Sequence, residues 1–329
     1  MIVYERRAST VLSNVLRGQP VNGPFLVPAN ACPILAIALL AARVPLELVD
    51  ISSTSLEIDP DAALARANKA NGSCGGLIFV RPYGRLTDAE PFFREFRRHA
   101  PDAIIVDDRC LCSPSFVRER ANVADLVLYS TGRAKAVDIG WGGYGLLTER
   151  CIYVPDHAAP FDLHDLQRLT DDYKQALAAG TKFEYADMNW LDARKPHIAW
   201  NQYRQCVVRQ RTRVQAHRRA LNAIYRAGIP LELQYPESYQ QWRFNIRVAN
   251  AANVLAALFG AGLFASRHYI PLTRAFGMGE APNAEGVYGH VINLFNDFYF
   301  SVEQAHRAAD IVSRVGVPLE TRTGNLRYA

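Results

Sequence analysis

Residues 125–148 read DLVLYSTGRAKAVDIGWGGYGLLT. The order is an apolar strand (Leu126 to Tyr129), a small polar turn (Ser130, Thr131, Gly132), Lys135, a glycine run (Gly140, Gly142, Gly143) and a second apolar strand. Lysine is scarce here: Lys69, Lys135, Lys174, Lys182 and Lys195 are the only five among 37 lysines and arginines. An arginine could serve as a surface charge at position 135, but it could not form an imine, because its guanidinium stays protonated and delocalised. Taken alone, Lys135 reads as a solvated loop charge beside a hairpin. The chain around it gives it another meaning.

Upstream, strand and helix patterns alternate. PFLVPA is a buried strand, CPILAIALLAA a buried helix and LELVD (46–50) the next strand. PDAALARANKAN (60–71) reads as a helix and GGLIFV (75–80) as a strand. Thr87 with Glu90 is expected to form a capping box before the helix that buries Phe92, Phe93 and Phe96. AIIVDD (103–108) is a strand that ends in two acids. Near-continuous apolar strands alternating with helices predict an α/β fold, a mostly parallel sheet with helices on both faces. Ligands of such sheets sit at the carboxyl ends of the strands. That rule gathers Asp107, Asp108, Ser130, Thr131 and the Lys135 loop at one edge.

The first twenty residues contain a short helix with Ser9 or Thr10 near its start, where N–H groups are free to be capped or to hold a phosphate. Further along, residues 161–180 read as a helix, and KFEYADMNWLDARKP reads as a loop. A long amphipathic helix follows at about 197–227, rich in Arg204, Arg209, Arg211, Arg213, Arg218 and Arg219. Beyond it, LELQYP, QWRFNIRV, ASRHYIPL and HVINLF alternate with small helices. The last helix is capped by Ser301 with Gln304 and stopped at Gly316. Arg243 and Arg247 read as strand-edge charges. The expected division is a large domain at 1–215 and a smaller α+β domain at 216–329.

Bulk properties narrow the function. No apolar run reaches the length of a membrane span, and MIVYERRAST has no secretory pattern, so the expectation is a cytoplasmic protein. The six cysteines, Cys32, Cys74, Cys110, Cys112, Cys151 and Cys206, show no disulfide framework, and the C-x-C at Cys110 and Cys112 lacks further ligands, so no metal is expected. The net charge of +5 is mild. The arginine run reads first as a solvated helix face, second as an anion site, and not as a nucleic-acid module.

A lysine, an acid at a strand end and a phosphate cradle on one sheet edge are what pyridoxal phosphate (PLP) chemistry needs. The dinucleotide alternative is weakened because no G-x-G-x-x-G follows the first strand. Five segments in order carry a family resemblance: VPANACPILAIALLAARVPLELVDI, RPYGRLTD, IIVDDRC, STGRAK and GWGGYGLLT. Together they resemble the DegT-type sugar aminotransferases, fold-type-I PLP enzymes acting largely on keto-sugar nucleotides. The resemblance covers most of residues 7–148. It implies that Lys135 is the Schiff-base lysine, Asp108 the partner of the pyridine nitrogen and Ser130 a phosphate ligand. Ser9 and Thr10 fall where the family's first phosphate-binding segment stands, and Asn189 is the candidate for the asparagine that a neighbouring subunit contributes.

Arg267 and His268, in RHYIPL, resemble a late substrate-facing segment. Two positions depart from the family: the ring-stacking aromatic falls on Asn30, and the glutamine after the aspartate falls on Leu111. The implied activity is transfer of an amino group from an amino acid, glutamate by analogy, to a keto-sugar or nucleotide-sugar in polysaccharide or secondary-metabolite biosynthesis. A homodimer with its site at the interface is implied too. A PLP enzyme with different chemistry, and a catalytically silent binding protein of the same fold, stand as alternatives.

Overall fold

A computed structural model of the chain describes residues 1–20, 22–69 and 73–320. The elements run β1 (Ile2–Glu5), α1 (Ala8–Gly18), β2 (Phe25–Pro28), α2 (Pro33–Ala41), β3 (Leu46–Val49), α3 (Pro60–Lys69) and β4 (Gly76–Val80). Then come α4 (Glu90–His99), β5 (Ile104–Asp108), β6 (Leu126–Ser130), β7 (Gly143–Leu147), α5 (Leu163–Ala179) and α6 (Trp200–Gly228). The C-terminal part holds β8 (Phe244–Arg247), α7 (Ala251–Gly260), β9 (Ala265–Ser266), α8 (Leu272–Phe276), α9 (Pro282–His290), β10 (Val291–Leu294) and α10 (Val302–Val315). The two positions by which the third helix was expected to run longer, 70 and 71, lie outside the described residues.

Seven strands form one sheet in the order β1-β7-β6-β5-β4-β2-β3. From β3 to β6 the neighbours are parallel, while β7 is antiparallel to both β6 and β1. The mostly parallel α/β sheet expected from the sequence is the sheet that forms. Side chains alternate between its two apolar layers, as a period of two requires. Val27, Ile78, Ile104, Val106, Leu126 and Leu128 pack in the layer with α1 and α2. Leu26, Leu77, Phe79 and Ile105 pack on the other side with residues of α3 and α4. Along α1, Val11, Leu12, Val15 and Leu16 are each at most 1% exposed. Burying such a side chain contributes about 1.5–3 kcal/mol, and this stripe fixes the helix against the sheet.

A second sheet, β8-β10-β9, is antiparallel and shares a core with α7, α10 and the end of α6 through Leu221 and Tyr225. Tyr203 and Val207, near the start of α6, pack instead with Val127 and Tyr129 of the large sheet. The division expected between 215 and 216 therefore falls inside one continuous helix.

Three local expectations are corrected. The Thr87–Glu90 capping box does not form: Ala89 is the N-cap of α4 and makes no side-chain cap. Thr87 instead bonds to Glu57 and receives Arg81 Nη1 at 2.9 Å, while Glu90 accepts the Val123 N–H at 3.0 Å. LELQYP is a short 3-10 turn at Leu231–Leu233 with a single bridge from Gln234 to Ile246. Arg243 is no edge charge; it is 2% exposed, ion-paired with Asp297, with its guanidinium 3.7 Å from the centre of the Phe295 ring. At the last helix the expected capping box of Ser301 and Gln304 is present.

Candidate active site

The same alternation sorts the two acids at the end of β5. Asp108 shares parity with Ile104 and Val106 and so faces the α1–α2 layer, whereas Asp107 points to the other side. Asp107 is fully buried and is gripped by Arg81 through Nε at 2.7 Å and Nη2 at 3.1 Å, and by Arg109 Nε at 2.8 Å. On β6, Ser130 has the parity of Leu126 and Leu128, which brings it to the Asp108 side. Thr131 turns away: its hydroxyl donates to the Trp141 carbonyl at 2.8 Å and lies 2.6 Å from the Tyr203 hydroxyl. Of four polar residues at one edge, two face a cavity and two are structural.

That cavity has a volume of about 530 Å³, and its wall includes Ser9, Cys32, Asp108, Cys110, Ser130 and Lys135. Asp108 is 5% exposed, and its Oδ1 accepts the Cys110 N–H at 2.9 Å. Burial raises its pKa, and the hydrogen bonds from Cys110 and, after them, the facing Lys135 ammonium pull it back in part. For Lys135, burial works to lower the pKa, but Cys110, Cys32 and Asp108 outweigh it, and the net direction is upward. Among the described residues the Lys135 ammonium has no hydrogen-bond or ion-pair partner. A lysine held in a cavity opposite a carboxylate, without a partner of its own, is free for a ligand. The burial of Cys32 and Cys110 raises both thiol pKa values, Cys110 strongly.

The loop that carries Lys135 is closed and braced. Thr131 N–H donates to the Gly142 carbonyl at 2.9 Å and Ile139 N–H to the Thr131 carbonyl at 3.0 Å. The Asp138 carboxylate accepts the Ala134 and Gly140 N–H groups at 2.8 and 2.7 Å. Either side of Lys135, Trp242 Nε1 donates to the Ala134 carbonyl at 2.6 Å and Arg218 Nη2 to the Ala136 carbonyl at 2.9 Å. Arg218 is buried, unlike the exposed Arg204, Arg209, Arg213 and Arg219 of the same run. Burial and the neighbouring Arg243 lower its pKa to about 10.

The glycine run has a steric cause. A Cβ at Gly142, where φ is +98°, would lie 2.6 Å from the Tyr203 ring, and one at Gly143 would lie 2.2 Å from the Ala8 nitrogen. Glycine there lets the start of α1 meet the sheet. Arg7, the N-cap of α1, gives no side-chain cap, so the helix start borders the cavity open to an anion.

The remaining sequence candidates separate. Thr10 is fully buried and donates its hydroxyl to the Asp192 carbonyl at 2.9 Å. Asn30 turns its amide to the Leu56 carbonyl at 3.1 Å, and Cys32 with Ile34 and Leu35 forms that part of the cavity wall instead. Asn189 is exposed and lines a different hollow of about 340 Å³ with Arg17, Arg168 and Trp190. Arg267 donates to the Tyr288 carbonyl and stacks on that ring at 4.2 Å. His268 sits against Asn293, its ring Nδ1 3.2 Å from Oδ1; burial lowers its pKa to about 4, with Arg243 and Lys135 adding to the effect.

Sequence reasoning missed Trp242, Arg218 and Tyr269. The Tyr269 hydroxyl is raised well above its ordinary range by burial and by Cys32, Asp108 and Cys110. Only Tyr269 had a signal, as the neighbour of His268 in RHYIPL.

No family model matches the sequence, and no curated protein does. Solved structures do match. Spr1654 of Streptococcus pneumoniae in its PMP form, a candidate sugar aminotransferase, superposes with a TM-score of 0.73 at 16% identity, covering 95% of this chain and 87% of that one. DesV of S. venezuelae with a ketimine intermediate gives 0.66 at 19% identity, covering 95% and 84%. DesI with its TDP-sugar product gives 0.69 at 15% identity, covering 95% and 80%. At these identities the likeness is one of fold, and it is the fold of the enzymes that the sequence segments resemble.

Proposed function

We propose that this chain is a PLP-dependent aminotransferase that moves an amino group from an amino acid, glutamate being the expected donor, to a keto-sugar or nucleotide-sugar. The observation that carries the reading is the pairing of an unpartnered Lys135 with a buried Asp108 across one cavity, at the carboxyl ends of β5 and β6. The residues fit the cofactor. Lys135 supplies the amine for covalent attachment, Asp108 a carboxylate for a protonated ring nitrogen, and Ser130, Ser9 and the start of α1 neutral donors for the phosphate. PLP, when bound, supplies an electron sink for carbanion charge at the donor's α-carbon. Lys135 Nζ, released and neutral, takes the proton from that carbon and returns one on the acceptor side. Asp108, 5% exposed on the cavity wall, would accept the proton-bearing ring nitrogen as its partner. A homodimer, with Asn189 reaching the cofactor phosphate of the neighbouring subunit and Arg267 and His268 near substrate, is part of the same proposal, supported by the family resemblance.

The test is spectroscopic. Reconstituted protein should show visible absorbance that glutamate bleaches as pyridoxamine phosphate forms, and Lys135→Ala should lack the band. An unchanged band in Lys135→Ala sinks the assignment. One observation favours the second reading, a PLP enzyme of the same fold with different chemistry: Asn30 is turned from the cavity and thiols stand where an aromatic ring is expected. Bound PLP that no amino acid bleaches would select that reading.

A further inference from the structure

We infer that Arg7 and Arg133 form a two-armed clamp for a phosphate dianion on the wall of the Lys135 cavity. The inference rests on the proposed cofactor site but concerns two residues to which the resemblance assigns no role. Both side chains line the cavity beside Ser9 and Ser130. Arg6 and Asp192 on that wall are compensated. Arg6 donates to the Lys195 carbonyl at 3.0 Å and lies 4.0 Å from Asp192. Asp192 also holds Arg194 through both oxygens at 2.8 Å. Among the described residues, the side chains of Arg7 and Arg133 make neither a hydrogen bond nor an ion pair, which leaves them, with Lys135, as the unpaired positive charge on that wall.

Their approach is built into the backbone. Arg7 bridges to Gly142, and the Gly142 N–H donates to the Arg6 carbonyl at 2.8 Å. Arg133 rides on the loop that Asp138 braces and that closes on the same Gly142 through Thr131. Two chain segments are thus tied at one glycine with a guanidinium on each. Burial lowers the Arg7 pKa against the pull of Asp192, and the Arg133 charge adds to the lowering; the nearest carboxylate is already shared with Arg6 and Arg194, so the two guanidiniums repel each other across the cavity. A dianion removes that repulsion, and arginine forks match phosphate oxygens in geometry as well as charge. Ser9, Ser130 and the uncapped start of α1 add neutral donors around the same point.

The phosphate has two possible sources: the cofactor's own 5′-phosphate, or a phosphoryl group on the acceptor. Arg7→Gln and Arg133→Gln are titrated with PLP and with pyridoxal, which lacks the phosphate, and their melting temperatures are followed against inorganic phosphate; circular dichroism verifies folding. Each variant is expected to bind PLP about tenfold or more weakly, to bind pyridoxal as the parent does and to lose the stabilisation by inorganic phosphate. Unchanged PLP affinity, with loss of phosphate stabilisation in the PLP-loaded protein, assigns the clamp to the acceptor's phosphoryl group and still supports it. Wild-type responses to both PLP and inorganic phosphate in both variants overturn it. If the parent binds phosphate yet never develops visible absorbance with PLP, the cofactor reading fails and the clamp stands.

Discussion

Asp107 and Asp108 are consecutive residues with opposite duties, and a pair of isosteric substitutions separates them. Asp107 is fully buried between Arg81 and Arg109, so Asp107→Asn strands the buried Arg81 guanidinium, while Arg109 keeps Glu119 at 2.9 Å; removing one partner of such a buried pair costs about 3–5 kcal/mol. Thermal unfolding should fall markedly. Asp108→Asn loses no buried ion pair and should melt near the parent while turnover drops. Equal melting losses in both would mean that the two faces of β5 were assigned wrongly. Lys135 gives a second residue-scale expectation. Its pKa lies above the ordinary lysine value, so the neutral amine is a small fraction near neutrality and grows by about tenfold per pH unit. The rate at which PLP generates visible absorbance should therefore climb between about pH 7 and about pH 9. A rate already flat at neutral pH would show an amine that is not held as its cation.

At the scale of elements, the Lys135 loop depends on residues that lie far away in the chain. Trp242→Phe removes the donor to the Ala134 carbonyl and Arg218→Met the donor to the Ala136 carbonyl. At the buried Ala136 an unsatisfied carbonyl costs about 1–3 kcal/mol, and at the exposed Ala134 the loss is of a brace on the loop. Either variant should bind PLP roughly tenfold more weakly with its far-ultraviolet circular dichroism intact; unchanged affinity would show that the loop holds its shape without them. These contacts also mark where the sequence stops being legible. Strands such as 104–108 and 126–130 announce themselves by apolar runs, and their order places Asp108, Ser130 and Lys135 together. Parity along a strand then separates Asp108 from Asp107, but only once the register is known. Arg218 looked like its neighbours in an arginine-rich helix because periodicity tells which face is polar, not which polar residue another segment covers. Asn30 and Thr10 show a related limit: local spacing brings them to the edge, and only the fold shows that the Leu56 and Asp192 carbonyls take their side-chain donors.

For the whole molecule, the link between the two sheets carries a titratable group. His268 follows β9, its backbone N–H donates to Asn293 Oδ1 at 2.8 Å, and its carbonyl accepts the Tyr83 hydroxyl of the large-sheet side at 2.8 Å. Trp242 packs edge-on at 5.1 Å and Tyr269 at 4.9 Å, with Arg243 and Lys135 as the cations that face the ring. Burial, opposed by Asn293 and helped by those cations, sets the folded pKa at about 4 against 6.5 for the free side chain. The unfolded chain therefore takes up a proton below about pH 6.5 that the folded chain refuses until near pH 4, and stability falls as pH drops through that window. Between about pH 7 and about pH 5 the loss from this one group comes to about 2 kcal/mol. Urea unfolding at the two pH values measures it, and His268→Gln should flatten the dependence by that amount while keeping a polar partner for Asn293. A parent and variant with the same pH slope would place the imidazole in water in the folded chain, and the link between the two sheets would then be wet at His268.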